Sequence, residues 1–244
     1  MSSNTGLSEY IHKGVDIAGA AVPPLLATTL GDPTAGVLSQ LGVVLTKELS
    51  DYVLRQQSHR EAERSAAVVI YAVREIENRL SLGQEIRNDD FFRIRIGSES
   101  SANTLFEGIL TKAKQQFEER KIQAIGKFFS SVAFNAKISA EDACWYLSLI
   151  DSLNYRSLLI LQAFNELPPN SWNSNSIKKV GEKNQVIYSQ INEPRNLNLL
   201  SAHTTFAVDV SLTELGIQLV ELLCLADELH YYGADVKAAV EPHI

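Results

Sequence analysis

A chain of 244 residues with 45% hydrophobic content can bury one large core or two small ones. Its net charge of −7 is uneven: residues 201–244 hold one Lys against seven Asp and Glu, which argues against this segment gripping a phosphate backbone. The two cysteines, Cys144 and Cys224, lie in apolar, helix-like runs without metal or disulfide spacing, so a reducing cytoplasm and buried, inert thiols are expected.

The N-terminus, MSSNTGLSEYIHKG, lacks a basic stretch before an uninterrupted apolar core, so no signal peptide is expected. From Ile17 to Thr46 the only formal charge is Asp32. Gly31-Asp32-Pro33 reads as the tip of a Gly/Ala-rich helical hairpin whose larger apolar positions include Leu25, Leu26, Leu30, Val37, Leu38, Leu41 and Val44. A spanning helix needs about 20 apolar residues, and each arm is shorter. One continuous span would place Asp32 near mid-bilayer at a cost of about 3 kcal/mol. The hairpin is therefore expected to pack as the N-terminal layer of a bundle, with conditional membrane contact as the alternative.

Prolines fall at 23, 24, 33, 168, 169, 194 and 242, and the long proline-free interval suits long helices. Leu38, Leu41, Leu45, Leu49, Tyr52 and Val53 follow a three-or-four spacing, which Ala62, Ala66, Val69, Ile70, Val73, Ile76 and Leu80 continue; this predicts one helix or two collinear ones from Thr34 to about Ser81. Unbroken, it would span roughly 70 Å at about 1.5 Å per residue. Glu75 and Arg79 are placed for an i,i+4 pair, and Gly83 is the expected stop.

Residues 87–101 read as a loop with an extended piece around Phe91 to Ile96. Asp89 and Asp90 are adjacent acids of the kind that bind a metal or share a proton. The plainer expectation is a polar loop anchored by Phe91 and Phe92. Arg93 and Arg95 alternate with apolar residues. They would grip a phosphate from one strand face or, more simply, meet solvent.

Ser101 is expected to cap a helix over 102–135, with Leu105, Ile109, Ala113, Phe117, Ile122, Ile125, Phe129 and Val132 facing inward. Ser139 and Asp142 have capping-box spacing for a helix ending near Ser152. Asn154 caps another over Tyr155 to Leu167, which Pro168-Pro169 ends. Residues 168–185 read as a polar linker or long loop. Phe206, Val208 and Val210 alternate as a strand does, and Ser211 with Glu214 has capping-box spacing for a helix through SLTELGIQLVELLCLADEL. His230-Tyr231-Tyr232 is expected to close that helix with its rings over the core, a recognition cluster being the sharper alternative.

No P-loop, dinucleotide-binding glycine pattern, HExxH or GxSxG occurs, and no histidine lies within five residues of a cysteine. No catalytic residue, metal or cofactor is assigned.

The run KIQAIGKFFSSVAFNAKISAEDACWYLSLIDSLNYRSLLILQAF, residues 121–164, has a helix–turn–helix rhythm with "LIDSL" before the next helix. Downstream, NLNLLS leads to a short strand and SLTELGIQLVELL. Over about residues 65–230 this order resembles the bacterial abortive-infection alpha family, which implies a predominantly helical, phage-defence-associated protein. The family supplies no catalytic residues to carry over. The tail also resembles a degraded winged-helix unit. Lys237 is its sole Lys or Arg beyond residue 200, so a protein-binding or structural use is expected rather than DNA reading.

The expected architecture is mainly α: a helical bundle over 1–167, a linker over 168–185, and a winged-helix-like α+β element over 186–244. The expected function is non-enzymatic phage defence in the cytoplasm through a protein partner or homo-oligomer, with nucleic acid not expected and no small-molecule substrate identified. Alternatives are a conditional membrane-active effector using residues 17–45 and an enzyme sited near Asp89 and Asp90.

Overall fold

A computed structural model describes residues 59–93, 100–168, 172, 174–201 and 210–240. The hairpin residues Leu25, Leu26, Leu30, Val37, Leu38, Leu41 and Val44 lie outside the described residues, as do Arg95 and residues 202–209. The chain is mainly helical and divides into two compact units, residues 1–148 and 149–244.

In the first unit, α1 runs His59–Ser81, α2 Ser101–Gln115 and α3 Glu119–Ala133, and the three pack on one another. Of the positions read along α1, Ala66, Val69, Val73 and Ile76 are buried and form its inner stripe, while Ile70 and Leu80 are half-buried at its margin. At its end Gly83 takes φ +76° and donates its N–H to the Leu80 carbonyl at 2.9 Å, while Gln84 donates to Arg79 at 3.0 Å. These two bonds form a Schellman stop, in which glycine carries the left-handed backbone. The Glu75–Arg79 pair closes at 2.9 Å, and Arg79 also donates to Ser131 Oγ at 2.8 Å, which ties α1 to α3. Where α1 crosses α3, Gly126 lets the backbones touch. A Cβ there would lie 2.7 Å from Tyr71 Cβ and 2.8 Å from the Val68 carbonyl oxygen.

The single helix expected over 102–135 is two. Ser100 rather than Ser101 is the cap, accepting the Asn103 N–H at 3.1 Å, and the chain leaves the helix at Gln116. Gln116 turns extended, and its Oε1 accepts the Glu118 N–H at 3.2 Å. Phe117, placed on the inward stripe by its spacing, is instead 80% exposed at this break. The step from Phe117 to Ile122 is five residues, longer than the three-or-four of a continuous stripe, so the pattern carried a small irregularity there. The next helix, α4, runs Ala140–Ser152. Ser139 caps it as expected, its Oγ accepting the Asp142 N–H at 3.0 Å, and the hydroxyl donates to Asp142 Oδ2 at 2.8 Å in place of the reciprocal backbone bond of a full capping box.

In the second unit, α5 (Tyr155–Glu166) is capped by Asn154, whose Oδ1 accepts the Ser157 N–H at 2.9 Å. From Ser157 to Phe164 every residue of α5 is buried. A helix buried on all sides belongs at the centre of a core, and α7 (Gln185–Asn196), α8 (Glu214–Leu223), α9 (Ala226–Tyr232) and α10 (Ala234–Val240) all pack against it.

Two expectations for this region change. Within 168–185, residues Ser174–Lys183 form a helix, α6, packed on α7. Its anchors are few. Val180 and Gly181 are buried, and a Cβ on Gly181 would stand 3.0 Å from the Tyr188 ring. Just ahead of it, Trp172 stacks edge-on with Phe164 at 4.9 Å and donates its indole N–H to the Val240 carbonyl. The segment after Ser211 is three helices rather than one. Cys224 adopts a left-handed φ of 50°, and its N–H bonds back to Val220 at 3.1 Å, which ends α8. The Ser211–Glu214 capping box is replaced by Thr213, whose Oγ1 accepts the Gly216 N–H at 3.1 Å.

No strand occurs among the described residues. The only sheet-like contact there is an isolated antiparallel bridge between Leu200 and Leu212. The predicted strand around Phe206 and Val208 lies outside the described residues.

Candidate functional site

The loop after α1 is organised by a residue to which the sequence pattern gave no role. Arg87 is buried, and its guanidinium is shared among several partners. Nε donates to Asp89 Oδ1 at 2.9 Å, Nη2 meets Asp89 Oδ2 at 2.5 Å, and Nη1 donates to the Ile138 carbonyl at 2.9 Å. Its carbon centre sits 4.3 Å over the Phe91 ring, and its own N–H donates to the Ala133 carbonyl at 3.0 Å. The planar fork of arginine suits this duty, because it meets a carboxylate and a carbonyl simultaneously.

Asp89, read as a candidate acid, is half of that pair and also a cap. Its Oδ1 accepts the Phe91 N–H at 3.2 Å and starts a 3₁₀ turn over Asp90–Phe92. The hydrogen bonds from Arg87 hold the Asp89 carboxyl below its ordinary range. The predicted extended piece is therefore corrected at Phe91 and Phe92. An extended backbone would send these neighbours to opposite faces. The capped turn buries both, with rings edge-to-face at 5.1 Å, and the turn packs on α2.

Asp90 faces outward and pairs with Arg93 at 2.8 Å, both groups being more than half exposed. The structure thus places Asp89 and Asp90 on different arginines, and Arg95 lies outside the described residues. No group of three or more metal-binding side chains occurs among the described residues. Among the same residues no helix is long and apolar enough to cross a membrane.

The cysteines also differ from expectation. Cys144 is exposed and Cys224 is partly so. Partial desolvation, with Glu141 one turn away, pushes the Cys144 thiol upward, so it is accessible but held protonated. Cys144 sits on the outer side of α4 next to Trp145, and the apolar run read around it belongs to neighbours such as Ala143, Tyr146 and Leu147, which point inward.

His230, Tyr231 and Tyr232 do not cover the core. They end α9 with their rings outward, Tyr231 at 73% and Tyr232 at 50% exposure. The rings contact one another: His230 to Tyr231 at 5.2 Å and Tyr231 to Tyr232 at 6.4 Å. Leu229, fully buried on the inner face of this short helix, supplies the inward contact instead. Leu82, Phe117 and Val186 are also exposed, but singly, as is common on protein surfaces. Three consecutive aromatic side chains in the open form a different kind of surface.

Comparison with protein-family models, with curated proteins and with solved structures gives no match.

Proposed function

We propose that this chain is a helical protein that acts in the cytoplasm in phage defence through protein–protein contacts. The observation that carries the contact reading is the exposed His230–Tyr231–Tyr232 group. Aromatic residues are enriched at interfaces, because a large rigid ring supplies much contact area for little conformational entropy. The defence setting rests on the resemblance across residues 121–164. The order α3, α4, α5 supports it, with Leu149–Leu153 leading into the Asn154 cap. In this reading the C-terminal element, whatever its likeness to a winged helix, binds protein.

The reading of Asp89 and Asp90 as a catalytic pair draws less support, since Asp89 is engaged in the fork with Arg87. The charge-poor run from Ile17 to Thr46 keeps conditional membrane action as a second reading. Leakage from liposomes challenged with the purified full chain tests it.

The principal test is affinity capture from phage-infected cells with the tagged native chain and with Tyr231→Ala. A protein retained by the native chain and lost with the variant is expected, together with reduced phage plating in cells that express the native chain. Equal plating with and without the chain would remove the defence assignment. Capture unaffected by Tyr231→Ala would remove this surface.

A further inference from the structure

The second unit carries two exposed faces of opposite sign. On the acidic side, Asp227, His230 and Tyr231 share the outer face of α9, being three and four residues apart. Glu214 and Glu221 are exposed on α8, the preceding helix. None of Glu214, Glu221 and Asp227 makes an ion pair with a described residue, whereas Asp235 is neutralised by Arg156 at 3.1 Å. On the basic side, Lys178, Lys179 and Lys183 project from α6 with a single acid, Glu182, among them. Lys178 and Lys179 are exposed and make no ion pair with a described residue. Val186, 59% exposed, stands three residues beyond Lys183.

We propose that a second copy of this chain joins these faces head to tail: the α6 lysines of one copy dock against Asp227 and Tyr231 of the next. This names one partner for the protein-contact reading and rests on it only in treating exposed faces as contact surfaces. The chemistry matches on both sides. An ammonium group gains from a nearby carboxylate and from the face of a tyrosine ring, and Val186 offers apolar area to the exposed rings. Because the two faces differ, the contact is heterologous. A joined pair keeps one unused face of each kind, one on either copy, so the assembly grows into a ring or an open chain.

Sedimentation equilibrium of the full chain tests this. The native protein is expected to associate reversibly. Raising salt to about 1 M, where the screening length falls to about 3 Å, is expected to weaken association by at least about tenfold. Two double variants are then compared: Asp227→Asn with Tyr231→Ala, and Lys178→Gln with Lys179→Gln. All four positions are exposed, and circular dichroism verifies that each variant folds as the native chain does. Each variant alone is expected to self-associate at least about tenfold more weakly. Their equimolar mixture retains one intact pair of faces and is expected to form a 1:1 heterodimer and nothing larger. A monomeric native chain, salt-independent association, native-like association of either variant, or a mixture without heterodimer would each overturn the proposal. The salt series needs no variant, so a monomeric or salt-insensitive native chain overturns the proposal even if a substitution disturbs folding. Loss of self-association leaves the capture experiment on infected cells standing, so the two readings fail separately.

Discussion

Replacing Arg87 by Ala removes the centre of the loop that joins α1 to α2. The side chain is 4% exposed, so its interactions are made in a poorly solvated place. The charge-assisted bond to the Ile138 carbonyl, at 2.9 Å, is of a kind that contributes about 1.5–3 kcal/mol. The stack over Phe91 adds roughly 0.5–1 kcal/mol. The pair with Asp89 contributes less than its geometry suggests, because Asp89 is 39% exposed and water replaces much of what it loses. The expected cost is about 3 kcal/mol in all. Arg87→Lys keeps the charge but loses the fork, so it recovers about half of that at most.

Urea unfolding followed by circular dichroism measures these differences, with Arg93→Ala as the control. Arg93 belongs to an exposed pair with Asp90 and is expected to cost no more than about 0.5 kcal/mol. If Arg87→Ala proves as mild as Arg93→Ala, or if Arg87→Lys is fully native in stability, Arg87 does not clamp this loop and the argument fails.

Three further predictions follow from contacts of the same kind. Gly126→Ala gains about 1 kcal/mol of helix propensity but drives a methyl against Val68 and Tyr71 of α1, where overpacking costs about 1–3 kcal/mol; a net loss is expected in the same unfolding assay, and a gain would refute the close crossing. The Asp89 carboxyl is depressed in the folded chain, so its contribution to stability is complete above the ordinary carboxylate value of 3.8 and is lost as pH falls through the lower folded value. Asp89→Asn should flatten that acid limb, and an unchanged limb would mean the carboxylate is not held by Arg87. Cys144 is expected to react with a maleimide in the native chain, but more slowly than a free thiol at the same pH, and Glu141→Gln should speed it by removing a neighbouring negative charge. A native thiol that does not label at all would contradict its exposure.

Much of the helical frame is legible because it depends on local chemistry. Gly83, Ser139 and Asn154 each mark a helix end through one backbone or side-chain requirement, and each works as the sequence suggests. The missed breaks lack such a mark. Gln116 and Cys224 are neither glycine nor proline, yet one turns extended and the other left-handed. Packing of the flanking helices decides these positions, and it overrides local preference. Helix α6 was hidden for a related reason: the polar run of 168–185 has few apolar anchors, so its periodicity is faint. The loop acids were visible as a pair, but their separation onto Arg87 and Arg93 was not. It follows from the 3₁₀ turn that sets Phe91 and Phe92 both inward.

The aromatic residues give the clearest link between fold and proposed function. Phe91 and Phe92 are buried, as loop anchors should be, Phe91 under Arg87 and each against the other's ring, whereas Trp172 sits in a segment that reads as a polar linker yet is buried against Phe164. Tyr231 lies in a segment that looks like a core-covering helix end, yet most of its ring is open to solvent. The α9 core contact is supplied by Leu229, which is fully buried, so the packing of this helix does not depend on Tyr231. Substituting Tyr231 by Ala should therefore leave stability within about 0.5 kcal/mol of native while abolishing whatever contact this face makes. A residue that stabilises little but binds strongly is what separates a contact surface from an exposed part of the core. Strong destabilisation by Tyr231→Ala would return the ring to the fold and leave the second unit without its aromatic face.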